Sequence, residues 1–138
     1  MNAAFEVNVL AEPAAISDAT EKISDFLRSG GVDLRTVHHV ALAVEEILTN
    51  LATHGNCAGA PAMIRIVIEP DRVRTEITDT GPYFDLREAP DPDLAGGSAE
   101  RAIGGLGLYL VRRFASNIEY VRRDGTNLTT FAIARGAI

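Results

Sequence analysis

The stretch GGLGLYLVRR, residues 104–113, places three glycines within four residues and then becomes apolar and basic without a helix breaker. Glycines directly before a helix let backbone N–H groups point at an anion, and the helix dipole favours negative charge at that end. The same pattern also suits a flexible joint before an ordinary helix. These ten residues by themselves leave both interpretations open.

The composition of the chain is that of an ordinary globular domain. Its 138 residues are enough to bury a core, with 46% hydrophobic and 23% charged residues. Acidic residues outnumber basic ones by 19 to 13, which gives a net charge of −6 and argues against direct nucleic-acid binding. Lys22 is the single lysine, and neither GxxxxGKS nor GxxxxGKT occurs, so a Walker A loop is excluded.

The cysteine content and the N-terminal residues bound the class of protein further. Cys57 is the only cysteine, which excludes an internal disulfide and a multi-cysteine zinc site, and we expect an idle or buried thiol. The start MNAAFEVNVLAEPAA has neither the basic region nor the apolar run of a signal peptide. No stretch approaches the ~20 apolar residues of a membrane span. We therefore expect a soluble, cytoplasmic protein.

Hydrophobic periodicity predicts the element order β-α-α-β-β-lid-α-β-β. Strands are predicted at 5–9, 63–69, 72–79, 118–122 and 128–134, and helices at 15–28, 33–54 and 106–115. Asp33 is the expected N-cap of the second helix, and the residues 124–127, DGTN, are the expected turn of the last hairpin. This order predicts an α+β two-layer sandwich with a mixed, mostly antiparallel sheet. A Rossmann fold would alternate strands and helices one-to-one.

Residues 81–105 differ from the rest of the chain, with three prolines, several acids and no sustained periodicity. Structureless segments of this length in small domains usually serve as functional lids or are disordered. We therefore predict a lid over about 81–105, inside a single domain that spans 1–138.

The second predicted helix carries Glu46 and Asn50, four residues apart and so on one face. A carboxylate and an amide oxygen one turn apart can combine a general base with a ligand for Mg²⁺. The alternative is a solvated glutamate and an asparagine near a helix end.

Asp79 and Gly81 stand where the second middle strand ends. The glycine permits a sharp turn that directs the carboxylate into a cleft, where it can accept a hydrogen bond from an exocyclic amine such as that of adenine. The alternative is an ordinary Asx-type turn at a strand end.

The order and spacing of these features resemble the Bergerat-type (GHKL) ATP-binding fold of histidine kinases, gyrase B and MutL, over about residues 5–135. The segment 46–50 is similar to the N box of that family, 79–81 to its first glycine box and 105–108 to its second. Within the superfamily, AVEEILTN (43–50), DTGPYFD (79–85) and GGLGLYLVRR (104–113) look like the bacterial anti-sigma-factor serine kinases.

The resemblance implies a role for each matching residue. Glu46 would be the general base, Asn50 the Mg²⁺ ligand and Asp79 the group that reads adenine. The other residues implied in ATP binding are Gly81 beside the base, Gly104, Gly105, Leu106, Gly107 and Leu108 at the phosphates, Thr129 in support of Asp79, and Arg101 at the terminal phosphate. Thr130 is the neighbour that could replace Thr129 in this assignment, and a solvated lid arginine is the alternative for Arg101.

Some positions depart from the family pattern or compete with it. Tyr83 stands where many relatives continue the first glycine box with a further glycine, which we interpret as a mark of the subgroup. Glu45 adjoins Glu46, and only the spacing to Asn50 favours the latter. His38, His39 and His54 are expected to pack or to face solvent.

The function implied is that of an ATP- and Mg²⁺-dependent protein serine kinase and anti-sigma factor in transcription and stress regulation. Its implied partners are a STAS-type anti-anti-sigma protein, which it phosphorylates, and a sigma factor, which it sequesters; members of the family commonly form homodimers. Two alternatives stay open at this point: a nucleotide-binding regulatory module without kinase activity, and a stand-alone histidine-kinase catalytic domain acting on a separate protein.

Overall fold

The computed structural model describes residues 1–53, 56–91 and 99–136, with the side chains of 99–105 outside the description. The strands are β1 (Ala3–Leu10), β2 (Pro61–Ile68), β3 (Arg72–Asp79), β4 (Ala115–Arg123) and β5 (Thr126–Ala134). The helices are α1 (Pro13–Ser29), α2 (Leu34–Thr53) and α3 (Ala99–Phe114), and a short 3₁₀ turn covers Leu86–Glu88. The predicted order of strands and helices and the α+β class are confirmed, while residues 92–98 of the predicted lid lie outside the described part of the chain.

The five strands form one sheet in the order β1-β2-β3-β5-β4. All four strand pairs are antiparallel, so the expectation of a mixed sheet was wrong in that detail. The reason is that β5 lies between β3 and β4 in the sheet and pairs antiparallel with both of them, although α3 and β4 separate β3 from β5 in the chain. Their register sets Asp79 opposite Asn127 and Ile77 opposite Thr129, which brings the end of β3 beside the start of β5.

The core lies between one face of the sheet and the helices α1 and α2. Alternate residues of each inner strand point into it, as the period of two requires. Its fully buried side chains include Ile23 and Leu27 of α1, Val40, Val44 and Leu48 of α2, and Ile64, Ile66, Ile77 and Phe131 of the sheet. The other face of the sheet is polar: Arg65 Nε lies 3.2 Å from Glu6 Oε1, and Arg65 also pairs with Glu76. This alternation is why the helices cover one face alone.

Asp33 caps α2, as predicted. The backbone N–H of Thr36 donates to Asp33 Oδ2 at 3.2 Å, and the Thr36 hydroxyl donates to Oδ1 at 2.8 Å. The backbone N–H of Gly136 donates to the same Oδ1 at 2.9 Å. The cap therefore also attaches the end of the last strand to the start of α2.

The turn between β4 and β5 has the conformation that its sequence predicts. Asp124 and Gly125 both have positive φ angles, of 52° and 77°. Two successive left-handed residues match the twist of a two-residue hairpin, and Asp-Gly tolerates them best. The turn fixes the register between β4 and β5, which pairs Asn127 with Arg122.

Helix α3 begins earlier than predicted. It starts at Ala99 rather than near residue 106, so Gly104, Gly105 and Gly107 lie within the helix instead of in a loop before it. The residues 99–103, AERAI, contain good helix formers and no proline, so the chain can enter a helix before the glycines. None of the helices in the described parts of the chain has the length and apolarity needed to cross a membrane.

Candidate functional site

A cavity of about 110 Å³ opens between the second half of α2 and the adjacent ends of β3 and β5. Its lining residues are Ile47, Asn50, Leu51, Asp79, Pro82, Tyr83, Phe84, Asn127 and Thr129. The structure thus brings three of the predicted site residues, Asn50, Asp79 and Thr129, around one space. Most of the remaining wall is apolar or aromatic, which is the usual lining of a site for a planar ligand.

The carboxylate of Asp79 is fixed at the edge of this cavity. Its Oδ1 accepts hydrogen bonds from the backbone N–H of Gly81 at 2.8 Å and from Asn127 Nδ2 at 2.9 Å. Its Oδ2 receives none from the residues that the structure describes. One oxygen therefore sets the orientation of the carboxylate, and the other can accept from a ligand.

Gly81 is buried at the point where the chain turns away from β3. A Cβ added there would lie 2.4 Å from Leu51 Cδ1 and 3.2 Å from Asp79 Oδ1. A larger residue would force the end of the Leu51 side chain to move and would crowd the Asp79 carboxylate. The Sγ atom of Cys57 is the next neighbour, 3.7 Å from the same point, which places the single cysteine beside this turn.

Asn127 is the residue that the sequence analysis missed. It is 3% exposed, and its Nδ2 lies within 3.0 Å of Asp79 Oδ1 and of the carbonyl oxygens of Gly81 and Pro82. Its Oδ1 accepts from Arg122 at 2.7 Å and from the hydroxyl of Tyr120. A single buried amide therefore connects Asp79, the following turn and β4.

The strand pairing, and no local motif, marks Asn127 as a residue of the site. It follows the Asp-Gly turn by two residues and pairs with Arg122 across the hairpin, while the separate register between β3 and β5 sets it opposite Asp79 at the end of β3. Thr129, the predicted support of Asp79, lies two residues further along β5, opposite Ile77, and lines the same cavity. Among the described residues, the hydrogen bonds to Asp79 come from Gly81 and Asn127.

Tyr83 lines the cavity, and Tyr120 packs against it from β4. The rings of Tyr83 and Tyr120 meet edge to face, with centroids 5.1 Å apart. The Tyr83 hydroxyl donates to the Glu88 carboxylate at 2.9 Å, and the Tyr120 hydroxyl accepts from the backbone N–H of Phe84 at 3.3 Å. Tyr83, the departure from the family pattern, is thus part of the wall.

Glu46 lies one turn before Asn50 on α2, where it is half-buried against α3. Burial, together with the neighbouring Glu45 carboxylate, raises the pKa of Glu46 above its ordinary value. A Cβ added to Gly107 would lie 2.0 Å from Glu46 Cδ and within 2.4 Å of both carboxylate oxygens. With Glu46 in this rotamer there is no room for a Cβ at position 107, so a larger residue there would displace the carboxylate.

Helices α2 and α3 run antiparallel along this contact. Seven residues before Glu46, the ring of His39 stacks on Phe114, seven residues after Gly107, with centroids 4.1 Å apart and planes within 3°. Val111 is completely buried between the two contacts. The seam therefore extends over two turns, with Glu46 at one end and His39 at the other.

Some of the remaining predicted residues belong to α3, and others lie outside the described part of the chain. Leu106 is half-buried and Leu108 packs against the core, while Gly104 and Gly105 belong to the backbone of α3. The Arg101 side chain and His54 lie outside the described residues. His39 packs, as expected, and His38 is exposed.

Comparison with known proteins agrees with this arrangement. Residues 9–133 match the family model of the histidine kinase-like ATPase domain. The serine/threonine-protein kinase BtrW of Bordetella bronchiseptica is 36% identical over 93 residues, which cover 66% of this chain and 66% of BtrW. The serine-protein kinase RsbW of Listeria monocytogenes is 26% identical over 125 residues, covering 86% of this chain and 79% of RsbW.

A solved structure shows the same fold. The RsbU and RsbW domains of a Mycobacterium tuberculosis protein superpose with a TM-score of 0.66 at 15% identity, over 98% of this chain and 34% of that one. The present chain therefore spans about a third of the solved protein. Since the family model covers residues 9–133, which include all three helices, β2 to β4 and nearly all of β5, the chain belongs to the histidine kinase-like ATPase domain family.

Proposed function

We propose that this chain is an ATP-dependent protein serine kinase that phosphorylates a STAS-type anti-anti-sigma protein and, in its other state, sequesters a sigma factor. The observation that carries the proposal is the placement of Glu46, a half-buried carboxylate of raised pKa, one helical turn from a cavity that presents a fixed aspartate. The names of the relatives BtrW and RsbW supply the acceptor, a serine or threonine hydroxyl.

The cavity is suited to an adenine ring. Asp79 Oδ2 would accept a hydrogen bond from the exocyclic amine, while Asn127 and Gly81 hold Oδ1. Guanine carries a carbonyl at the corresponding position, which would meet the carboxylate with a repulsive acceptor–acceptor contact. The apolar wall around Ile47 and Leu51 would cover the ring.

Glu46 would act as the general base. It would accept the proton of the serine hydroxyl while the hydroxyl oxygen bonds to the terminal phosphorus and the bond to the departing ADP oxygen breaks. A raised pKa makes the carboxylate a stronger proton acceptor than an exposed glutamate. Glu45 is exposed and lies on a different side of α2, so it is not an equivalent base.

Asn50 is the residue that would hold Mg²⁺. The described residues contain no group of three or more His, Cys, Asp or Glu side chains that could hold a metal by themselves. Mg²⁺ usually keeps several waters and is held by one or two carboxylates together with the substrate phosphates, so the Asn50 amide oxygen would supplement ligands from ATP and water. When bound, the ion would offset the charge of the phosphates.

The glycine-rich turn of α3 would lie at the phosphate end, because Gly107 contacts Glu46. Inside a helix, backbone N–H groups donate to carbonyls four residues earlier and are not free for phosphate. Phosphate contacts at Gly105 and Gly107 therefore require this turn to leave the helical conformation. Each glycine lowers helix stability by about 1 kcal/mol relative to alanine, so unwinding this turn costs less free energy than unwinding an alanine-rich turn would.

The test is phosphoryl transfer from labelled Mg²⁺-ATP to the STAS-domain proteins of the same organism, purified one at a time. We expect acid-stable phosphoserine on one of them and a loss of at least about a hundredfold in rate with Glu46→Gln. Glu45→Gln is the matched control and should retain most activity.

Two other outcomes would replace this proposal. Acid-labile phosphohistidine on a separate protein would indicate a stand-alone histidine-kinase domain. Tight ATP binding without transfer would indicate a nucleotide-binding regulatory module. Sequestration is tested separately, by measuring the binding of sigma factors in the presence of ADP and of ATP. Sedimentation tests for a homodimer. Phosphorylation and sequestration would both take place in the cytoplasm.

A further inference from the structure

A second cleft, of about 310 Å³, opens at the end of the α2–α3 seam that is remote from Glu46. Its lining comes from the first turns of α2 and from the ends of α3 and β5. The lining residues are Arg35, Thr36, His39, Arg113, Phe114, Ile133, Ala134, Arg135 and Gly136. We call it the basic cleft, because three of these residues are arginines and none is acidic.

None of the three arginines forms an ion pair with a carboxylate within the described part of the chain. Other arginines do, for example Arg72 at 2.6 Å from Glu69 Oε1. Arg35 is exposed and forms no side-chain hydrogen bond with the residues that the structure describes, and the Arg113 guanidinium lies 5.9 Å from the centroid of the Tyr109 ring. Their positive charges therefore face solvent unneutralised.

The third arginine is held in place by backbone atoms. Arg135 donates to the carbonyl oxygens of Glu69 at 3.0 Å and of Gly31 at 3.3 Å, which orient it and leave its charge unpaired. Asp33, which contacts Thr36 and Gly136 of the cleft, is fixed as the cap of α2 and keeps its negative charge. Three arginines against this one adjacent carboxylate give the cleft a local excess of positive charge, in a chain whose net charge is −6.

The floor of the cleft is apolar and flat. His39 and Phe114 stack there, and Ile133 is 1% exposed. Burial and the neighbouring Arg35 and His38 lower the pKa of His39, although Asp33 opposes them, so the imidazole is neutral at neutral pH. A neutral ring pair of this kind offers packing surface rather than further charge.

We propose that the basic cleft docks an acidic segment of a protein partner, with Asp or Glu side chains on the arginines and an apolar side chain on the His39–Phe114 floor. Charge complementarity selects an acidic occupant. The apolar floor favours a peptide over a bare inorganic anion, and the net charge of −6 disfavours nucleic acid. This second site lies outside the nucleotide cavity and goes beyond the proposed kinase function.

The experiment follows the arginine side-chain Nε–Hε signals by NMR while a peptide is added to the full chain. The probe is the acetylated peptide EDLEELEDL, and its neutral counterpart is QNLQQLQNL. We expect the acidic peptide to shift the signals of Arg35, Arg113 and Arg135, with Arg123, an exposed arginine on β4, unchanged. The double variant Arg35→Gln/Arg113→Gln should weaken binding at least about tenfold, and Arg123→Gln should not.

Four results would overturn the proposal. The first two are the absence of shifts in the arginine signals of the cleft at 1 mM acidic peptide, and equal shifts from the neutral peptide. The third is equal shifts from inorganic phosphate or a short RNA at matched concentration. The fourth is signals that shift with protein concentration in the absence of peptide, which would mean that a second copy occupies the cleft. None of these measurements uses ATP, so the outcome does not depend on whether the chain is a kinase. Matching thermal unfolding of the variants would establish that they are folded.

Discussion

The carboxylate of Glu46 and the backbone of Gly107 lie in direct contact, so close that a methyl group on Gly107 would overlap all three carboxylate atoms. The glycine in the second half of the GGLG stretch is therefore required by a helix–helix contact as well as by backbone freedom. Its partner is the residue that we propose as the general base, which makes the contact testable.

Gly107→Ala should displace Glu46 and lower the rate of phosphoryl transfer at least about tenfold. Because alanine favours a helix by about 1 kcal/mol over glycine, the melting temperature should change little in comparison. The measurement is single-turnover transfer together with thermal unfolding. In a Glu46→Ala background the same substitution should have almost no further effect on rate, since the overlapping carboxylate is gone. An equal loss in both backgrounds would contradict the contact as the cause.

Asn127→Ala should weaken ATP binding at least about tenfold and destabilise the fold by roughly 1–3 kcal/mol. It leaves the buried carbonyl oxygens of Gly81 and Pro82 without their amide donor and releases Asp79. Calorimetric titration with ATP and with GTP gives the affinity and the base selectivity, and denaturant unfolding gives the stability. Asn8→Ala, at an exposed asparagine of β1, is the control and should change neither. Unchanged ATP affinity in Asn127→Ala would show that Asp79 does not need this support.

The pH dependence of the rate should report the raised pKa of Glu46. Activity requires the ionised carboxylate, so the rate should rise with pH through a midpoint above that of an ordinary glutamate. Glu45→Gln removes the second cause of the shift, after burial itself, and should move the midpoint down. A midpoint unmoved by Glu45→Gln would contradict the assignment. The measurement is the pH profile of transfer at saturating ATP.

The same shift predicts an effect on stability of known sign. The folded protein binds this proton more tightly than the unfolded chain, so ionisation of Glu46 costs stability as pH rises through its raised pKa. Glu46→Gln should therefore raise the melting temperature at neutral pH, and the advantage should vanish in acid below the ordinary glutamate pKa of about 4.3.

Asp33→Ala should cost about 1 kcal/mol, the usual loss for a helix N-cap. Burial opposes the shift, but hydrogen bonds from Thr36 and Gly136 outweigh it and lower the pKa of Asp33. Its stabilisation is present above the unfolded pKa of about 3.9 and is lost as pH falls through the folded value. Urea unfolding at neutral and acid pH measures both effects. Asp25→Ala, at an exposed acid of α1 paired with Arg28, is the control and should cost less.

Local signals in the sequence predicted much of the fold. Strand β3 has the predicted bounds, Asp33 is the predicted cap, and Asp124-Gly125 forms the predicted turn. Each of these depends on neighbours within a few residues, where propensity and hydrogen bonding decide. The spacing of Glu46 and Asn50 on one helix face is local in the same sense.

The features that the sequence did not show depend on distant packing. Asn127 became visible as a partner of Asp79 only through the register between β3 and β5. The early start of α3 sets the GGLG glycines within a helix, where the proline-rich segment before them had suggested a loop. The fit of Gly107 against Glu46 depends on how two helices cross, which no short motif encodes.

The position of residues along α2 sets the distance between the basic cleft and Glu46. Arg35, His39 and Glu46 lie along one side of this helix, because separations of four and seven residues return to nearly the same direction. At 1.5 Å per residue, Glu46 is about 10 Å along the axis from His39 and about 16 Å from Arg35. An extended peptide covers these distances in about three to five residues. A substrate anchored in the basic cleft must therefore carry its serine at least about three to five residues from its acidic segment. This spacing can be checked in the sequences of candidate partners.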